Sequence, residues 1–356
     1  MAELDLETIR ALPKVALHDH LDGGLRAQTV LEIANEIGHP LPADDAEALA
    51  DWFFDAADSG TLVRYLETFD HTIAVMQRPQ DLRRVAREFV VDQAADGVVY
   101  AEARWAPEQH TKGGMSMTEA IHAVGEGLRE GIAEAAAAGR EITVRQLVTG
   151  MRQTDTSLEV AELGLEHADD LVAGFDIAGP EDGFPPRNHA EAFTLLRDQL
   201  GRYTIHAGEA AGPDSVRDAL VQGAQRLGHG VRIIEDIDTS GDEPVLGPVA
   251  AYVRDRRIPL EVCPTSNLQT GIAEAYADHP IKPLADLGFT ITVSCDNRLM
   301  SRTTLSNELF QLVQAFGWGT DELYAVTRNA IDAAFLPWQL AEDIRTGQID
   351  PGYAAG

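Results

Sequence analysis

The sequence has little cysteine, few basic residues and no long apolar run. Its 356 residues include only Cys263 and Cys295 as cysteines, so no disulfide framework is available and a reducing compartment is indicated. We interpret both cysteines as small buried residues. Basic residues number 28 against 58 acidic ones, which gives a formal net charge of -30. Such a surface repels phosphate backbones and anionic lipid, so we expect neither nucleic acid nor a membrane as partner.

No segment reaches the roughly 18 consecutive apolar residues that a membrane span requires. The N-terminal stretch MAELDLETIRALPKVAL has neither the basic start nor the apolar run of a signal peptide. These absences predict a cytoplasmic protein, and they leave its oligomeric state open. A hydrophobic content of 44% with 31 Gly and 17 Pro is ordinary globular composition. The length predicts a single barrel domain over residues 1–356.

Short apolar or β-branched runs alternate with helical patterns along the chain. The candidate strands are Val15–His18, Val98–Arg104, Ile142–Val148, Leu171–Ile177, Tyr203–His206, Arg226–Gly228, Ile258–Val262 and Thr290–Ser294. This alternation predicts an α/β fold with a parallel sheet, and eight repeats predict closure into a (β/α)8 TIM barrel. The competing open sheet lacks its glycine-rich turn, because Gly125, Gly127 and Gly131 lie within a helical pattern. We interpret these glycines as sites of close helix packing.

The connection from about residue 25 to residue 95 is longer than a plain barrel requires. Its patterns predict the helices Gln28–Gly38, Asp44–Ala56, Thr61–Met76 and Pro79–Ala94. An insertion after the first strand lies at the C-terminal face, where barrels have their active sites. This helical insertion is a candidate lid, and the alternative is a fixed cover over the barrel mouth.

Four predicted strand ends carry side chains that bind metals or transfer protons. They are His18-Asp19-His20 after the first strand, His206-Ala207-Gly208-Glu209 after the fifth, Gly228-His229-Gly230 after the sixth and Ser294-Cys295-Asp296-Asn297 after the eighth. Side chains alternate along a strand, so His18 and His20 point to the same face. Strand ends of a parallel barrel meet at one rim, and we therefore expect these groups to converge.

Three imidazoles and one carboxylate suit a borderline ion such as zinc, with water in an open position, whereas magnesium prefers more oxygen ligands. The remaining histidines fall in helical or loop stretches, where we interpret them as solvated or capping residues. They are His39, His71, His110, His122, His167, His189 and His279.

The residues at these strand ends resemble the adenosine deaminase family of the amidohydrolase superfamily. The matching motifs run over nearly the whole chain in the family's order. They are L-H-D-H-L-D-G at 17–23, G-F-D-I-A-G at 174–179, H-A-G-E at 206–209, R-L-G-H-G at 226–230, C-P-T-S-N at 263–267 and S-C-D-N at 294–297. The resemblance implies hydrolytic deamination of adenosine and 2′-deoxyadenosine to the inosine product plus ammonia, with one Zn2+ per chain.

The resemblance also implies a role for each site residue. The implied metal ligands are His18, His20, His206 and Asp296. His229 would take a proton from the attacking water, and Glu209 would protonate purine N1. The implied substrate contacts are His20, Asp22 at the ribose, the Gly179 backbone N–H and Asn297, while Asp176 and Ser266 would support the metal ligands.

One position departs from the family pattern. Many members carry a second aspartate at the position of Asn297, where it contacts purine N7. An asparagine amide can donate a hydrogen bond to N7 without being protonated, so purine binding remains the expectation. We interpret Glu102 and Arg104 as structural residues.

Three other substrates and one other class of function stay open at this point. The same barrel chemistry acts on adenine, adenosine monophosphate or a 5′-modified nucleoside such as aminofutalosine. A ribose contact by Asp22 weighs against adenine, and the acidic net charge weighs against the nucleotide. A non-catalytic binding protein on the same barrel would show a damaged acid or base, yet Glu209 and His229 are both present.

Overall fold

Strands and helices alternate along the chain, as the sequence pattern predicts. The computed structural model describes residues 4–60, 62–168 and 172–354, so the predicted element starts at Thr61 and Leu171 lie outside the described residues. The strands are β1 Lys14–His20, β2 Val98–Trp105, β3 Thr143–Met151, β4 Val172–Ala178, β5 Ile205–Ala207, β6 Leu227–His229, β7 Ile237–Asp238, β8 Val245–Leu246, β9 Leu260–Val262 and β10 Ile291–Val293.

The helices lie between and after the strands. The α-helices are α1 Leu6–Ala11, α2 Ala27–Ile37, α3 Ala46–Ala57, α4 Leu62–Glu67, α5 Phe69–Ala74, α6 Pro79–Ala95, α7 Met117–Ala137, α8 Ser157–Glu166, α9 Ala190–Asp198, α10 Pro213–Val221, α11 Pro248–Asp255, α12 Pro264–Gln269, α13 Ile281–Asp286, α14 Leu305–Phe316, α15 Thr320–Ala333, α16 Trp338–Ile344 and α17 Asp350–Ala354. Short 3₁₀ turns span Pro107–His110, Pro186–His189, Val231–Asp236 and Tyr276–Asp278, and a π-helical segment spans Arg345–Ile349. Among the described helices, none has the length and apolar character that crossing a bilayer would need.

The barrel consists of two four-stranded parallel sheets joined at two seams. One sheet has the order β1-β2-β3-β4 and the other β10-β9-β6-β5. Phe175 of β4 pairs in parallel with Tyr203, just before β5, and Asp19 of β1 pairs with Asp296, just after β10. The predicted (β/α)8 barrel is thereby confirmed. The strands β1 and β2 are buried along their whole length, as expected for parallel strands that are covered on both faces.

The predicted strands correspond to β1–β6, β9 and β10, but β5, β9 and β10 are shorter than predicted and β6 begins one residue later. β5, β6, β9 and β10 each contain 3 residues. The polar residues that open the predicted runs, such as Arg226 and Thr290, precede the regular ladder. The antiparallel pair of β7 and β8 escaped prediction, because two-residue strands carry no periodic signal.

The helices between β1 and β2 follow the predicted pattern with one break. The predicted helix Thr61–Met76 is wrong as a single element, since α4 ends at Glu67 and α5 begins at Phe69. At the break the Thr68 hydroxyl donates a hydrogen bond to the Tyr65 carbonyl at 2.7 Å. A hydroxyl that bonds to the preceding turn in this way commonly bends a helix.

The last helix of this region, α6, packs closely against α7, and glycines make that contact possible. A Cβ atom at Gly127 would lie 2.2 Å from the Arg83 carbonyl oxygen, and one at Gly131 would lie 2.6 Å from Val90 Cβ. Both distances are shorter than any allowed contact. The interpretation as helix-packing residues is therefore confirmed for Gly127 and Gly131.

Candidate active site

Imidazoles and a carboxylate converge at the carboxyl ends of the barrel strands. His18 and His20 lie in β1, His206 in β5 and His229 in β6, while Asp296 follows β10. Ligand atoms of His18, His206, His229 and Asp296 all lie within 4.8 Å of one another. His20 Nε2 is 3.3 Å from Asp296 Oδ1. All five side chains are buried, so the barrel gathers a donor set that suits a divalent ion.

The backbone at two of these residues is strained. His229 has φ 60° and Asp296 has φ 63°, in the left-handed region that residues with a Cβ rarely occupy. Such strain persists only where the surrounding structure holds it, and it concentrates at functional sites. Gly228 contributes by having no side chain, because a Cβ there would lie 3.1 Å from His206 Cγ and 3.2 Å from His18 Cε1.

A buried carboxylate fixes the orientation of His18. Its Nδ1 donates a hydrogen bond to Glu261 Oε2 at 3.1 Å, which leaves the proton off Nε2 in the neutral ring. Among the described residues, Nε2 has no hydrogen-bond partner although it is fully buried, and it lies 3.4 Å from Asp296 Oδ1. A buried lone pair without a donor is costly unless a ligand uses it. The arrangement therefore fits a metal ligand.

Arg104 joins the groups behind two of the imidazoles. Asp176 Oδ2 lies 2.8 Å from His206 Nδ1 and accepts a hydrogen bond from Arg104 Nη1 at 2.9 Å. Arg104 Nη2 donates to Glu261 Oε2 at 2.7 Å. The sequence interpretation of Arg104 as structural thus understates its position, since it links the partners of His18 and His206. Glu261 was missed because no motif surrounds it.

The surroundings of Asp296 and Glu209 have opposite effects on ionisation: they stabilise the ionised form of Asp296 and disfavour that of Glu209. The Ser266 hydroxyl donates a hydrogen bond to Asp296 Oδ2 at 2.7 Å, which stabilises an ionised carboxylate. Glu209 is buried, and burial raises its pKa well above the usual 4.5, with the negative charges of Asp296 and Glu181 raising it further. Burial lowers the pKa of His229 well below 6.5. Burial therefore favours the neutral form of both the Glu209 carboxyl group and the His229 imidazole.

The loop that carries Glu209 is organised by a second carboxylate, which sequence reasoning missed. Glu181 Oε1 accepts a hydrogen bond from Gly208 N at 2.7 Å, and its Oε2 accepts from the backbone N–H groups of Glu209, Ala210 and Ala211 at 3.0, 2.7 and 2.9 Å. Successive backbone N–H groups of this kind form a concave anion site. Glu181 thereby fixes the path of the chain just after His206.

A cavity of about 240 Å³ lies in front of these groups. Its polar wall includes Asp22, Gly179, Glu209 and Asn297, and its opposite wall comes from the insertion. The apolar side chains there are Leu62, Tyr65, Leu66, Phe69 and Ile73 of α4 and α5. The structure thus brings the sequence-predicted substrate residues to one cavity, whereas Asp176 and Ser266 lie outside it, next to the predicted metal ligands His206 and Asp296.

Four side-chain oxygens of residues that line the cavity are buried without a hydrogen-bond partner among the described residues: Asp22 Oδ1, Tyr65 Oη, Thr149 Oγ1 and Asn297 Oδ1. Two of them, Asp22 Oδ1 and Asn297 Oδ1, belong to the polar wall. Gly23 makes room for the asparagine, because a Cβ there would lie 1.8 Å from Asn297 Oδ1. Buried polar atoms normally have partners, so both oxygens are available to donors on a ligand. Cys263 and Cys295 are buried, as expected.

The sequence interpretation was wrong for three histidines outside this group. His110, His189 and His279 are buried rather than solvated. His110 Nδ1 lies 3.1 Å from the Met76 carbonyl, and His189 contacts the Ser157 hydroxyl at 2.8 Å. The partners of His110 and His189 are 34 and 32 positions away in the chain, so no local pattern could have indicated their burial.

Comparison with known proteins places this architecture in a family. The family model described as adenosine deaminase matches residues 13–350. The adenosine deaminase of Mycobacteroides abscessus is 52% identical over 356 residues, which cover 99% of this chain and 98% of that protein. Among solved structures, arabidopsis ADAL complexed with IMP is 27% identical with a TM-score of 0.82, covering 98% of this chain and 99% of that one.

A second solved structure contains a metal. An amidohydrolase from Burkhoderia ambifaria with bound Zn is 25% identical with a TM-score of 0.83, covering 99% of this chain and 95% of that one. The family model and the 52% identical relative each span almost the entire sequence. This chain therefore belongs to the adenosine deaminase family, as its motifs predict.

Proposed function

We propose that this protein hydrolyses the 6-amino group of adenosine and 2′-deoxyadenosine, producing inosine or 2′-deoxyinosine and ammonia. The observation that carries the proposal is the position of Glu209. Its buried carboxyl group lies in the cavity, with Oε2 at 3.6 Å from His229 Nε2. The name of the Mycobacteroides abscessus relative supports the same activity.

We assign His18, His20, His206 and Asp296 as the residues that would hold one Zn2+. The unpaired, buried Nε2 of His18 and the three-imidazole, one-carboxylate donor set fit this ion. The zinc in the Burkhoderia amidohydrolase supports the choice of metal. When bound, such an ion lowers the pKa of water to about 7, which supplies a nucleophile at neutral pH.

Glu209 supplies the acid for the ring. Attack of a water oxygen on C6 pushes electron density to N1, and the protonated Glu209 carboxyl donates a proton there. The bond from C6 to the amino group then breaks, and ammonia leaves with one proton of the attacking water. The second water proton leaves the C6 oxygen as the carbonyl forms and restores the Glu209 carboxyl group. Adenosine and water thus give inosine and ammonia with all atoms balanced. General acid help of this kind contributes roughly 10²–10⁴-fold.

The remaining polar groups orient the nucleoside. Asp22 Oδ1, which is buried and unpaired, accepts a hydrogen bond from a ribose hydroxyl. The backbone N–H of Gly179 donates to a ring nitrogen, and the Asn297 amide donates to N7. His20 contacts the substrate from the metal side. The apolar side chains of α4 and α5 cover the face of the purine.

Charge in the cavity favours an uncharged nucleoside over a nucleotide. Asp22 and Asp70 lie in the cavity wall, and none of the described lining residues is lysine or arginine. A 5′-phosphate there would meet like charge and no cation. IMP is bound by arabidopsis ADAL, but this chain lacks a described partner for the phosphate. Free adenine would leave Asp22 without its ribose hydroxyl.

The activity is tested by adding adenosine to the purified protein and following the loss of adenine absorbance. We expect turnover that a chelator stops and added Zn2+ restores. If adenosine is inert while a 5′-substituted analogue reacts, the substrate proposal fails. If no aminopurine reacts, the protein is a binding protein on this barrel. The free, buried cysteines fit a reducing compartment, and we propose the cytoplasm as its location.

A further inference from the structure

His229 is held from behind by a short chain of buried polar side chains. Its Nδ1 lies 3.1 Å from Asn267 Nδ2 of α12. Asn267 Oδ1 lies 3.3 Å from His279 Nε2, and the Ile281 backbone N–H donates to His279 Nδ1 at 3.0 Å. All three side chains are buried. None of these partners belongs to the metal-binding group or to the cavity wall.

The backbone amide of Ile281 fixes the direction of every hydrogen bond in this chain. Because it can only donate, His279 Nδ1 must be the acceptor and carries no proton. Burial lowers the pKa of His279 to about 4, so its ring is neutral near pH 7. The proton of a neutral imidazole is then on Nε2. His279 Nε2–H therefore donates to Asn267.

The orientation of the Asn267 amide group determines the direction of its hydrogen bond with His229. The atom that faces His279 accepts, so it is the carbonyl oxygen, and the NH₂ group faces His229. An NH₂ group only donates, which makes His229 Nδ1 an acceptor. The His229 proton is consequently on Nε2, the atom that lies 3.6 Å from Glu209 Oε2.

We propose that Asn267 and His279 are positioning residues that hold His229 in the Nε2–H form, so that His229 donates a hydrogen bond to the attacking oxygen. In this form Nδ1 is occupied by Asn267 and Nε2 carries a proton, so neither nitrogen can ligate a metal. Although His229 is within ligand distance of the other groups, the third imidazole ligand is then His20.

His18 shows the opposite arrangement a short distance away. The two rings have centroids 4.7 Å apart. The Nδ1 of His18 faces the carboxylate of Glu261, which only accepts, and its Nε2 is left with a lone pair. The Nδ1 of His229 faces an amide donor, and its Nε2 is left with a proton. The chemistry of the partner behind each ring thus decides whether the ring is a ligand or a donor.

This proposal rests on the proposed function for its catalytic consequence and changes one expected role. The family resemblance implies that His229 takes a proton from the attacking water. A ring that already carries its proton on Nε2 cannot do so without first changing tautomer. The proton passes instead to the carboxylate of Asp296, and His229 orients the oxygen as it bonds to C6. Asp296 then returns a proton to the departing amine.

The tautomer can be observed directly in the metal-free protein. Long-range 1H–15N NMR correlations of the histidine rings distinguish a protonated from an unprotonated ring nitrogen, and His229→Gln identifies the His229 signals by their loss. We expect Nδ1 without a proton and Nε2 with one. Signals of the reverse form overturn the proposal. This readout does not depend on turnover, so a protein inactive on adenosine with the expected spectrum refutes only the proposed function.

The substitution Asn267→Asp replaces the NH₂ group that faces His229 by a carboxylate oxygen, and the side chain keeps nearly the same size and shape. A carboxylate accepts from both His279 and His229, so we expect the His229 proton to move to Nδ1. Loss of a hydrogen-bond partner behind a site histidine typically lowers activity by about 10–100-fold. We expect a decrease of this size in kcat, with KM and zinc content nearly unchanged. Asn267→Asp with wild-type ring signals overturns the proposal.

Two further variants keep the test independent of folding. Asn307→Asp is the matched control, because Asn307 Nδ2 donates to Thr303 Oγ1 at 3.0 Å in α14, outside the site. We expect wild-type signals and kcat for it. His279→Ala frees the Asn267 amide to rotate, and we expect a mixture of both His229 forms. A single Nε2–H form in His279→Ala contradicts the role of His279.

Discussion

Glu261 and His18 form a buried hydrogen bond of 3.1 Å in which the carboxylate holds the Nδ1 proton of the ring. The same carboxylate is paired with Arg104 at 2.7 Å. Burial works against its ionised form, yet the charges of Arg104 and Arg226 keep the pKa of Glu261 well below 4.5. A negatively charged group therefore stands behind His18 and increases its strength as a ligand.

We predict that Glu261→Gln weakens Zn2+ binding by about 10–100-fold, because the amide holds the Nδ1 proton less strongly. The unfolding free energy of the metal-free protein should also fall, by at most about 3–5 kcal/mol, since the buried Arg104 keeps only Asp176 as a charged partner. Chelator competition and urea unfolding measure the two effects. The exposed Glu243→Gln serves as control, and equal zinc affinity in both variants would contradict the prediction.

Replacing the carboxyl group of Glu209 by an amide should greatly reduce turnover without loss of the bound metal. Glu209→Gln cannot protonate N1, and we expect kcat to fall by about 10²–10⁴-fold. Zinc content should match that of the wild type, because Glu209 is not among the assigned ligands. Exposed Glu235→Gln is the matched control. A Glu209→Gln protein with full turnover would remove Glu209 from the mechanism.

Measuring the metal content of two histidine variants distinguishes His20, an assigned metal ligand, from His229, which lies beside the ligands without binding the metal. His20→Ala should lose most of its bound Zn2+, because it removes an imidazole ligand. His229→Ala should keep a full equivalent while turnover drops. Elemental analysis after dialysis gives both values. Retained zinc in His20→Ala together with loss in His229→Ala would reverse the two roles.

Substrate charge should matter at the cavity mouth. We expect kcat/KM for adenosine monophosphate to be about 100-fold lower than for adenosine, a difference of about 2.7 kcal/mol, because the phosphate meets Asp22 and the exposed Asp70. Asp70→Asn should recover part of this loss and leave adenosine turnover unchanged. Equal rates for the two substrates would show that the phosphate lies elsewhere.

His279 should make the protein less stable in acid. Its pKa is about 4 in the folded protein against an ordinary value of 6.5, so below pH 6.5 the unfolded chain binds a proton that the folded chain does not. Stability is therefore lost as the pH falls from 6.5 to 4, by an amount on the order of 3 kcal/mol. Above pH 6.5 both states are neutral and the effect vanishes.

This contribution appears as a difference between wild type and His279→Gln. Urea unfolding at pH 7 and pH 4.5 should show a smaller loss of stability in the variant, because glutamine does not titrate. Identical losses in the two proteins would mean that His279 is accessible to protons in the folded state.

The sequence allowed the barrel and the gathering of the candidate site residues at its rim to be predicted, because both leave local signals. Strand runs between helical patterns indicate the fold, and histidines or acids directly after those runs indicate the rim. Glu261 and Glu181 leave no such signal, and Asn267 ends the motif at 263–267 without a role that the motif predicts. Glu261 is 243 positions from His18, and its importance depends on which strands become neighbours. The groups at the strand ends could therefore be predicted, whereas of the groups behind them only Asp176 and Ser266 were predicted and the others required coordinates.

The seam between the first and last strands of the barrel determines when the chain can become active. Asp296 donates its backbone N–H to the His18 carbonyl at 2.9 Å, and its own carbonyl accepts from His20 N at 2.7 Å. The residue whose carboxylate is assigned to the ion, Asp296, is thus the same residue whose backbone joins the last strand of the barrel to β1. During synthesis, His18, His20 and His206 are made long before Asp296, so the four groups cannot come together until most of the polypeptide has been synthesised. Catalytic competence and completion of the barrel are consequently a single late event.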